Sequence, residues 1–202
     1  KSCKTKDNSI LVIKTNKIRH LLSDVASKFY KLKPKNIIAV TGTNGKTSVS
    51  DLFYQILRIN NIPVASIGTL GIKYNDKIIK TKLTSPDTIT LHENLDYLKS
   101  KKVNNVIIEA SSHGLDQKRL HHIKFKGGIF TNFSQDHLDY HKTMKSYLNS
   151  KLILFRKILS KKSTIISNKE IPTFKILKKI AKKKNLKISN INNTLTKIKN
   201  ID

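Results

Sequence analysis

One short stretch of the sequence combines glycines, a lysine and hydroxyl side chains. It reads Thr-Gly-Thr-Asn-Gly-Lys-Thr over residues 41–47, and it lies between an apolar run and an amphipathic segment. In phosphate-binding loops, glycines let the backbone approach the phosphates, a lysine meets the outer phosphates and a hydroxyl binds Mg²⁺. The residues that match these roles are Gly42, Gly45, Lys46 and Thr47. We predict a nucleotide phosphate site, with a plain turn before a helix as the alternative.

Three polar side chains further along the chain differ in what their local pattern indicates. Glu109 ends an apolar run, and ligands of open α/β sheets gather at the carboxyl ends of strands, where a carboxylate offers hard oxygens to Mg²⁺. An ordinary strand-end carboxylate fits the pattern equally well. His137 follows the next apolar run, and by itself a loop histidine is more typical of a surface residue. Lys151 has the pattern of a solvent-exposed helix lysine.

Strands and helices alternate in the first half of the chain. Residues 37–40 form an apolar strand, and a helix follows, with an apolar stripe at Val49, Leu52, Phe53, Ile56 and Leu57. We predict a strand over residues 63–72, a hairpin turn over 74–77 and a return strand over 78–83. A second helix is predicted to begin near Thr90, where Thr90 and Glu93 match a capping box.

The second half repeats this alternation. The runs "VNNVIIEASSHG" and "GGIFTNFS" are typical of buried strands, followed by a helix over residues 144–158, a strand over 163–166 and a helix over 172–184. The pattern weakens after residue 185. Continuous apolar runs separated by helices predict an α/β fold, a mostly parallel sheet with helices on both faces.

Composition indicates a globular protein. The 202 residues, 38% of them hydrophobic, can bury one good core. Cys3 is the single cysteine, so no internal disulfide forms, and no apolar run approaches the roughly 20 residues that span a bilayer. The N-terminal stretch lacks the apolar segment of a signal peptide. We therefore expect a cytoplasmic protein with no membrane partner.

The net charge of +27 raises the alternative of a nucleic-acid-binding protein. Nearly all the basic residues are lysines, whereas readers of bases and phosphates depend on arginine forks. Aromatic residues make up only 6% of the chain, so a stacking platform for bases is not evident. Solvated lysine surfaces are the favoured interpretation, and no nucleic-acid partner is expected.

Five stretches together resemble the Mur ligases, and within them the MurE branch. They are the loop at 41–47, "TSPDT" from Thr84, "EASSHGLDQKRL" from Glu109, "TNFSQDHLDYH" from Thr131 and "SYLNSK" ending at Lys151. The loop departs from the general phosphate-binding pattern at Val40, where a glycine is usual, and this departure is shared by the Mur ligases and the folylpolyglutamate synthetases. The resemblance covers residues 37 to about 155.

The resemblance implies an ATP-dependent amide-bond ligase of peptidoglycan synthesis. Such an enzyme adds a diamino acid, meso-diaminopimelate or L-lysine, to UDP-N-acetylmuramoyl-L-alanyl-D-glutamate through an acyl phosphate. It also implies a P-loop-type central domain, ATP and Mg²⁺ as cofactors and a monomer as the working form. The sequence does not indicate which diamino acid is added.

The resemblance assigns roles to individual residues. The loop would bind ATP through Gly42, Thr43, Asn44, Gly45, Lys46, Thr47 and Ser48. Thr47 and Glu109 would bind one Mg²⁺, and His137 would bind a second together with Lys151, carbamylated by carbon dioxide. The catalytic residues would be Lys46, Glu109, His137 and Lys151, and the UDP-muramoyl dipeptide would contact Thr84, Ser85, Ser111, Gln117 and Arg119. We assign no role to His113, His121 or His122.

The resemblance also predicts a domain organisation. Residues 1–35 are expected to be the tail of a UDP-binding first domain and its linker, and residues 36–202 an incomplete central ATP-binding domain, with the C-terminal domain of the family absent. Such a fragment is expected to bind ATP and substrate without turnover. A folylpolyglutamate synthetase-like ligase is the nearest alternative, although "SSHGLDQKRL" and "DHLDYH" favour the muramoyl branch.

Overall fold

The structure, a computed structural model, describes residues 2–3, 12–81 and 83–191. Its strands are β1 (Ser2–Cys3), β2 (Val12–Ile13), β3 (Asn36–Thr41), β4 (Val64–Gly68), β5 (Gly71–Tyr74), β6 (Lys77–Ile79), β7 (Asn105–Glu109), β8 (Gly127–Phe130), β9 (Thr164–Ser167) and β10 (Lys187–Asn190). Its helices are α1 (Ile18–Phe29), α2 (Lys46–Ile59), α3 (Thr88–Ser100), α4 (Ser112–Asp116), α5 (Leu138–His141), α6 (Met144–Ile153) and α7 (Phe174–Lys184). No described helix has the length and apolar character needed to cross a membrane.

Eight of these strands form one sheet in the order β10-β9-β8-β3-β7-β4-β5-β6. The six strands from β10 to β4 are parallel, and β5 and β6 continue the sheet as an antiparallel hairpin. From β3 the chain crosses through α2 to β4, on one side of β3 in the sheet. The later helices lead the chain in the opposite direction across the sheet, to β7, β8, β9 and β10. Because crossovers between parallel strands are right-handed, these movements place helices on both faces, and the predicted fold class is confirmed.

The core follows from the apolar runs seen in the sequence. Ala39, Ile107 and Ile108 are fully inaccessible to solvent, as expected for central parallel strands covered on both faces. The stripe of α3, Leu91, Leu95 and Leu98, is buried too.

The predicted helix α2 is confirmed, but only part of its apolar stripe is covered. Val49, Phe53 and Leu57 are half-buried, whereas Leu52 and Ile56 are 56% and 58% exposed. The fully buried residues of the helix are Ser50 and Tyr54. Periodicity shows that a helix has an apolar face. The orientation of the helix relative to the sheet determines whether that face is buried.

The strand predicted over residues 63–72 is in fact two strands. β4 and β5 pair as antiparallel neighbours with Gly68 opposite Gly71, so the chain reverses within what the sequence presents as one apolar run. Gly71 has φ of +92°, a conformation open to glycine that makes such a tight reversal possible. The turn predicted at 74–77 is confirmed, and the return strand β6 is shorter than the predicted 78–83, of which residue 82 lies outside the described residues.

The capping box predicted for Thr90 and Glu93 is wrong. α3 begins two residues earlier, and Asp87 is its N-cap, accepting hydrogen bonds from the backbone N–H groups of Ile89 and Thr90 at 3.0 and 3.1 Å. The Thr90 hydroxyl donates to the same carboxylate at 2.7 Å. An aspartate caps a helix as well as threonine does, and here Asp87 reaches two N–H groups.

Other helix and strand boundaries agree closely with the sequence. The helix predicted over 144–158 is α6 followed by a π-helical turn, Leu154–Ile158, closed by the Leu159 N–H, which donates to the Leu154 carbonyl at 2.9 Å. The strand and helix predicted over 163–166 and 172–184 are β9 and α7. Helix α1 and strand β10 were not predicted.

The turn between β3 and α2 depends on two glycines with positive φ. Gly42 has φ of +150° and Gly45 has φ of +81°. A Cβ on Gly42 would lie 1.9 Å from Thr131 Oγ1 and 3.1 Å from the backbone N and O atoms of Asn132. Around Gly45 the nearest atoms are 4.0 Å away. Glycine is therefore needed at position 45 for its backbone conformation. At position 42 glycine is needed for its backbone conformation and also because the segment after β8 packs directly against it.

We expect Asp87→Ala to lower the free energy of unfolding by about 1 kcal/mol, because two N–H groups at the start of α3 lose their acceptor. Asp87→Asn retains an acceptor oxygen and should cost less. Urea titration of both variants measures the difference. Equal stability of Asp87→Ala and the parent chain would contradict the assignment of this cap.

Gly42→Ala should destabilise the fold by about 1 to 3 kcal/mol more than Gly45→Ala. Both substitutions force alanine into an unfavourable backbone conformation, but only the one at position 42 also drives a methyl group into Thr131. Urea titration of the two variants side by side checks this, and equal losses would show that the close contact is not maintained in solution.

Candidate active site

Four neighbouring parallel strands, β8, β3, β7 and β4, end at one edge of the sheet. The segments that follow them bring the phosphate-loop candidate, Glu109, Thr69 and Thr131 to this edge. The chain leaves β3 towards β4 on one side, while β8 lies on the other side of β3. A crevice at such a switch in strand order is where open α/β sheets bind ligands.

Lys46 folds back over the loop from the first turn of α2. Its ammonium group donates to the carbonyl oxygens of Gly42 at 3.1 Å and of Thr43 at 2.8 Å. Burial lowers the pKa of Lys46, and the nearby carboxylates of Glu109 and Asp136 oppose this shift. The ammonium thus lies over the mouth of the loop, in a position to meet an anion there.

The segment after β8 holds the phosphate loop in place through hydrogen bonds. Asn132 accepts the Thr43 N–H with its carbonyl at 3.0 Å and the Asn44 N–H with its side-chain oxygen at 2.9 Å, and Thr131 Oγ1 donates to the Asn44 carbonyl at 2.6 Å. The Thr43 hydroxyl donates to the Ser134 carbonyl at 3.2 Å. Ser48 lies exposed in the first turn of α2.

Glu109 is buried, with 1% of its surface exposed, and its carboxylate joins three segments. Oε2 accepts the Thr47 hydroxyl at 3.0 Å and the Thr69 hydroxyl at 3.1 Å, while Oε1 accepts the Thr69 N–H at 3.0 Å. A Cβ on Gly68 would lie 2.0 Å from Oε1, so only glycine leaves room for the carboxylate. Thr69 and Gly68 were not singled out in the sequence, because their roles depend on the end of β4 meeting the end of β7.

The oxygens of Thr47 and Glu109 suit Mg²⁺. A hydroxyl and a carboxylate in hydrogen-bond contact are hard ligands of the kind that Mg²⁺ binds alongside phosphate oxygens. Among the residues that the structure describes, no group of three or more His, Cys, Asp or Glu side chains is arranged to hold a metal ion. A magnesium site here therefore fits one in which substrate phosphates and water complete the coordination.

Lys151 is buried, and the solvent-exposed lysine expected from its local pattern is wrong. It is 1% exposed, its Nζ donates to the Gly42 carbonyl at 2.7 Å, and the same atom lies 4.2 Å from the centre of the Tyr147 ring. Burial lowers its pKa to about 7, Lys46 adds to the shift and Asp136 opposes it. Two lysine ammonium groups thus share one backbone carbonyl beneath the phosphate loop.

His137 lies at the start of α5 with φ of +52°, and its ring centre is 5.9 Å from that of Tyr147. Tyr147 therefore packs against both His137 and Lys151. Its hydroxyl also donates to Thr43 Oγ1 at 3.4 Å. A lysine ammonium repels a metal cation, and Mg²⁺ prefers oxygen ligands to the nitrogen of an amine or an imidazole. A second metal fits this pair only if the lysine carries added oxygens.

His113, to which the sequence assigns no role, lies beside His137. Its ring centre is 5.1 Å from that of His137, 4.2 Å from Tyr140 and 5.5 Å from His141. Burial lowers the pKa of both His113 and His141. His121 and His122 lie instead beside His20 of α1, with ring centres 6.1 and 5.0 Å away.

The five residues expected to contact the dipeptide substrate are linked by short polar contacts, and Ser85 connects them to Glu109. Ser85 Oγ donates to the Glu109 carbonyl at 2.7 Å and lies 3.0 Å from Ser111 Oγ. Arg119 donates to the Ser85 carbonyl at 2.8 Å and to Gln117 Oε1. Thr84 Oγ1 lies 3.2 Å from Thr69 Oγ1, whose proton goes to Glu109. We call these five residues the polar row.

A family model, the Mur ligase middle domain, matches residues 40–200. The curated protein UDP-N-acetylmuramoyl-L-alanyl-D-glutamate--2,6-diaminopimelate ligase of Brucella melitensis biotype 1 is 42% identical over 155 residues, which are 77% of this chain and 32% of that protein. The protein of the same name from Rickettsia bellii is 39% identical over 188 residues, 90% of this chain and 39% of that one. The chain spans about a third of the length of these relatives.

Solved structures agree with this result. A structure of UDP-N-acetylmuramoyl-L-alanyl-D-glutamate--2,6-diaminopimelate ligase superposes with a TM-score of 0.72 at 30% identity, covering 83% of this chain and 34% of that one. The apo form of L. casei FPGS shares the fold alone, with a TM-score of 0.67 at 15% identity over 89% of this chain and 50% of its own. With the family model matching most of its length, the chain belongs to the Mur ligase family, in the middle domain of those enzymes.

Proposed function

We propose that this chain is the ATP-binding part of a ligase that adds a diamino acid to UDP-N-acetylmuramoyl-L-alanyl-D-glutamate. The observation that carries the proposal is the contact between Thr47 and Glu109, with Lys46 and Lys151 meeting at the Gly42 carbonyl. The names of the most similar relatives favour 2,6-diaminopimelate as the diamino acid. A folylpolyglutamate synthetase-like activity has less support, because the likeness to those structures is in fold alone.

The loop from Gly42 to Ser48 would hold the phosphates of ATP. The backbone N–H groups of Lys46, Thr47 and Ser48 lie in the first turn of α2, where the partial positive charge of the helix favours anions. The Lys46 ammonium would leave its two loop carbonyls for the outer phosphates, a short movement of a flexible side chain. Thr47 and Glu109 would hold Mg²⁺, which when bound offsets negative charge on the phosphates.

The reaction needs a carboxylate to become an electrophile. An oxygen of the substrate carboxylate attacks the terminal phosphorus of ATP, and the bond to ADP breaks, which leaves an acyl phosphate. The amine of the diamino acid then attacks the acyl carbon, phosphate departs and the amine nitrogen loses a proton. Catalysis of this type consists mainly of positioning and of neutralising charge, and Lys46 at the loop and Arg119 beside Ser85 are cations that can supply it.

The polar row of Thr84, Ser85, Ser111, Gln117 and Arg119 would bind the UDP-muramoyl dipeptide. Arg119 is held by Ser85 and Gln117 with its planar fork preorganised, which suits a carboxylate or a phosphate. The row begins beside Glu109, so a carboxylate bound along it would approach the phosphate loop.

Lys151 is proposed to act as a carbamate that binds a second Mg²⁺ with His137. The neutral amine forms a bond to the carbon of CO₂ and loses a proton, which turns a cationic side chain into an anionic one with two hard oxygens. Burial beneath the loop and the neighbouring Lys46 both favour the neutral amine that this step requires.

We extend the proposal to the organisation of the protein. Residues 1–35 belong to the tail of a UDP-binding first domain and its linker, and residues 36–202 to the central ATP-binding domain. Turnover is proposed for a protein that carries this chain together with the remaining length of its relatives, as a monomer in the cytoplasm, where ATP is found.

Lys46→Ala tests the proposed function. In a protein with the full length of the relatives, ADP release that depends on the UDP-muramoyl dipeptide and 2,6-diaminopimelate should fall by about 100-fold or more, because the outer phosphates lose their cation. Lys77→Ala removes an exposed lysine from β6 and should keep the parent rate. Circular dichroism confirms that both variants fold. Activity of Lys46→Ala within a few-fold of the parent would mean that the loop is not the ATP site.

Lys151→Ala should remove most turnover at ordinary bicarbonate concentrations, and a short carboxylic acid in solution should partly restore it in place of the carbamate. Lys151→Arg should not be active, since it keeps the positive charge. Lys145→Ala, on the exposed side of α6, is the matched control and should remain active. A ¹³C NMR spectrum of the parent protein in ¹³C-bicarbonate with nucleotide and Mg²⁺ should show a carbamate signal that Lys151→Ala lacks. Its absence from the parent refutes the assignment.

A further inference from the structure

A large cleft lies at the opposite edge of the sheet from the phosphate loop. It has a volume of about 690 Å³, and its walls come from the linker before β3 and from the segments before β8 and β9. β3 runs from Asn36 to Thr41, and at roughly 3.3 Å per residue this places the two edges about 17 Å apart. We call this site the basal cleft, and it is separate from the candidate active site.

Lysines dominate the walls of the basal cleft. Three come from the linker, two from the segment before β8 and two from the segment before β9: Lys31, Lys33, Lys35, Lys124, Lys126, Lys161 and Lys162. The described residues that line the cleft include no aspartate or glutamate. Seven like charges around one concavity repel each other, and a bound anion would relieve that repulsion.

The floor of the basal cleft is apolar and rigid. Pro34, Ile37 and Phe125 are buried there. The Lys126 N–H donates to the Ile37 carbonyl at 2.8 Å, and Ser163 Oγ donates to the Phe125 carbonyl at 2.9 Å, so the three segments are fixed to one another. A concave surface with charged walls over an apolar floor concentrates the electrostatic field more than the same lysines would on a flat, solvated face.

We propose that the basal cleft binds a compact oligophosphate anion. Its volume falls within the usual range for small-ligand pockets, roughly 300 to 1,000 Å³. Lysine ammonium groups act as point charges that neutralise phosphate from several directions, which suits a short chain of phosphates. Phe125 is the only Phe, Tyr or Trp residue among the described lining residues, and it is buried in the floor, so no such ring is exposed to stack on nucleic-acid bases.

Tripolyphosphate is the probe that tests the proposal. Isothermal titration calorimetry of the 202-residue chain, in the Lys46→Ala background that weakens the phosphate loop, should show saturable binding of one tripolyphosphate at about 0.1 M salt. Replacing Lys35, Lys126 and Lys161 together by Gln should weaken this binding tenfold or more. No binding in the Lys46→Ala background, with the fold confirmed by circular dichroism, would overturn the proposal.

A matched variant separates a site from general charge attraction. Lys77, Lys80 and Lys178 are exposed lysines outside the cleft, and replacing all three by Gln changes the net charge by the same amount. This variant should bind tripolyphosphate within about twofold of the Lys46→Ala chain. Equal weakening in the two triple variants would show that the anion responds only to the overall charge, and the cleft would then not be a site.

Two further ligands identify the source of the phosphates. A non-hydrolysable ATP analogue that binds the cleft more tightly than tripolyphosphate would assign the cleft to nucleoside polyphosphates. Weaker binding of the analogue would assign the cleft to free polyphosphate. Both results support an oligophosphate site. A single-stranded 20-nucleotide DNA that displaces tripolyphosphate with higher affinity, and that loses binding in the cleft variant, would overturn it in favour of a nucleic-acid surface. These measurements do not depend on ligase turnover, so they can fail or succeed independently of the proposed function.

Discussion

The buried carboxylate of Glu109 is the constraint on which the arrangement of the site depends. A carboxylate without contact to solvent must have hydrogen-bond donors, and Glu109 receives three, from Thr47 and Thr69. These donors come from the start of α2 and from the end of β4, so the carboxylate fixes both relative to β7. Gly68 leaves the space that this requires. The phosphate loop, the proposed magnesium ligands and the row that leads to Arg119 all start from this group.

Lysine burial under the phosphate loop illustrates how packing changes a common residue. Lys46 and Lys151 approach the same Gly42 carbonyl from different helices, and both lose water as they do so. For a surface lysine, a hydrogen bond to a backbone carbonyl changes the pKa little. Here the low exposure of Lys151 makes its charged form costly, which lowers the pKa to about 7 and leaves an amine with nucleophilic character near neutral pH. A residue type present throughout the chain thus acquires a distinct chemistry at one position.

The two edges of the sheet differ although the same parallel strands form both. At the carboxyl edge, polar side chains and backbone N–H groups converge around one carboxylate, and the site combines both signs of charge. At the opposite edge the basal cleft carries lysines from three segments with no acidic residue among its described lining. A net charge of +27 supplies lysines everywhere, but only the folded sheet decides which of them share a concave surface.

The sequence by itself determined the alternation of strands and helices over most of residues 37–184, the loop at 41–47 and the family. These features depend on residues that are close together in the chain: apolar runs, helical periodicity and short motifs. Only the tertiary structure decided that residues 63–72 form two antiparallel strands and that α2 leaves Leu52 and Ile56 exposed. It alone placed Thr69 and Tyr147 at the site and buried Lys151. The physical reason is that burial and hydrogen-bond partners are properties of segments distant in the chain, and neither periodicity nor spacing contains them.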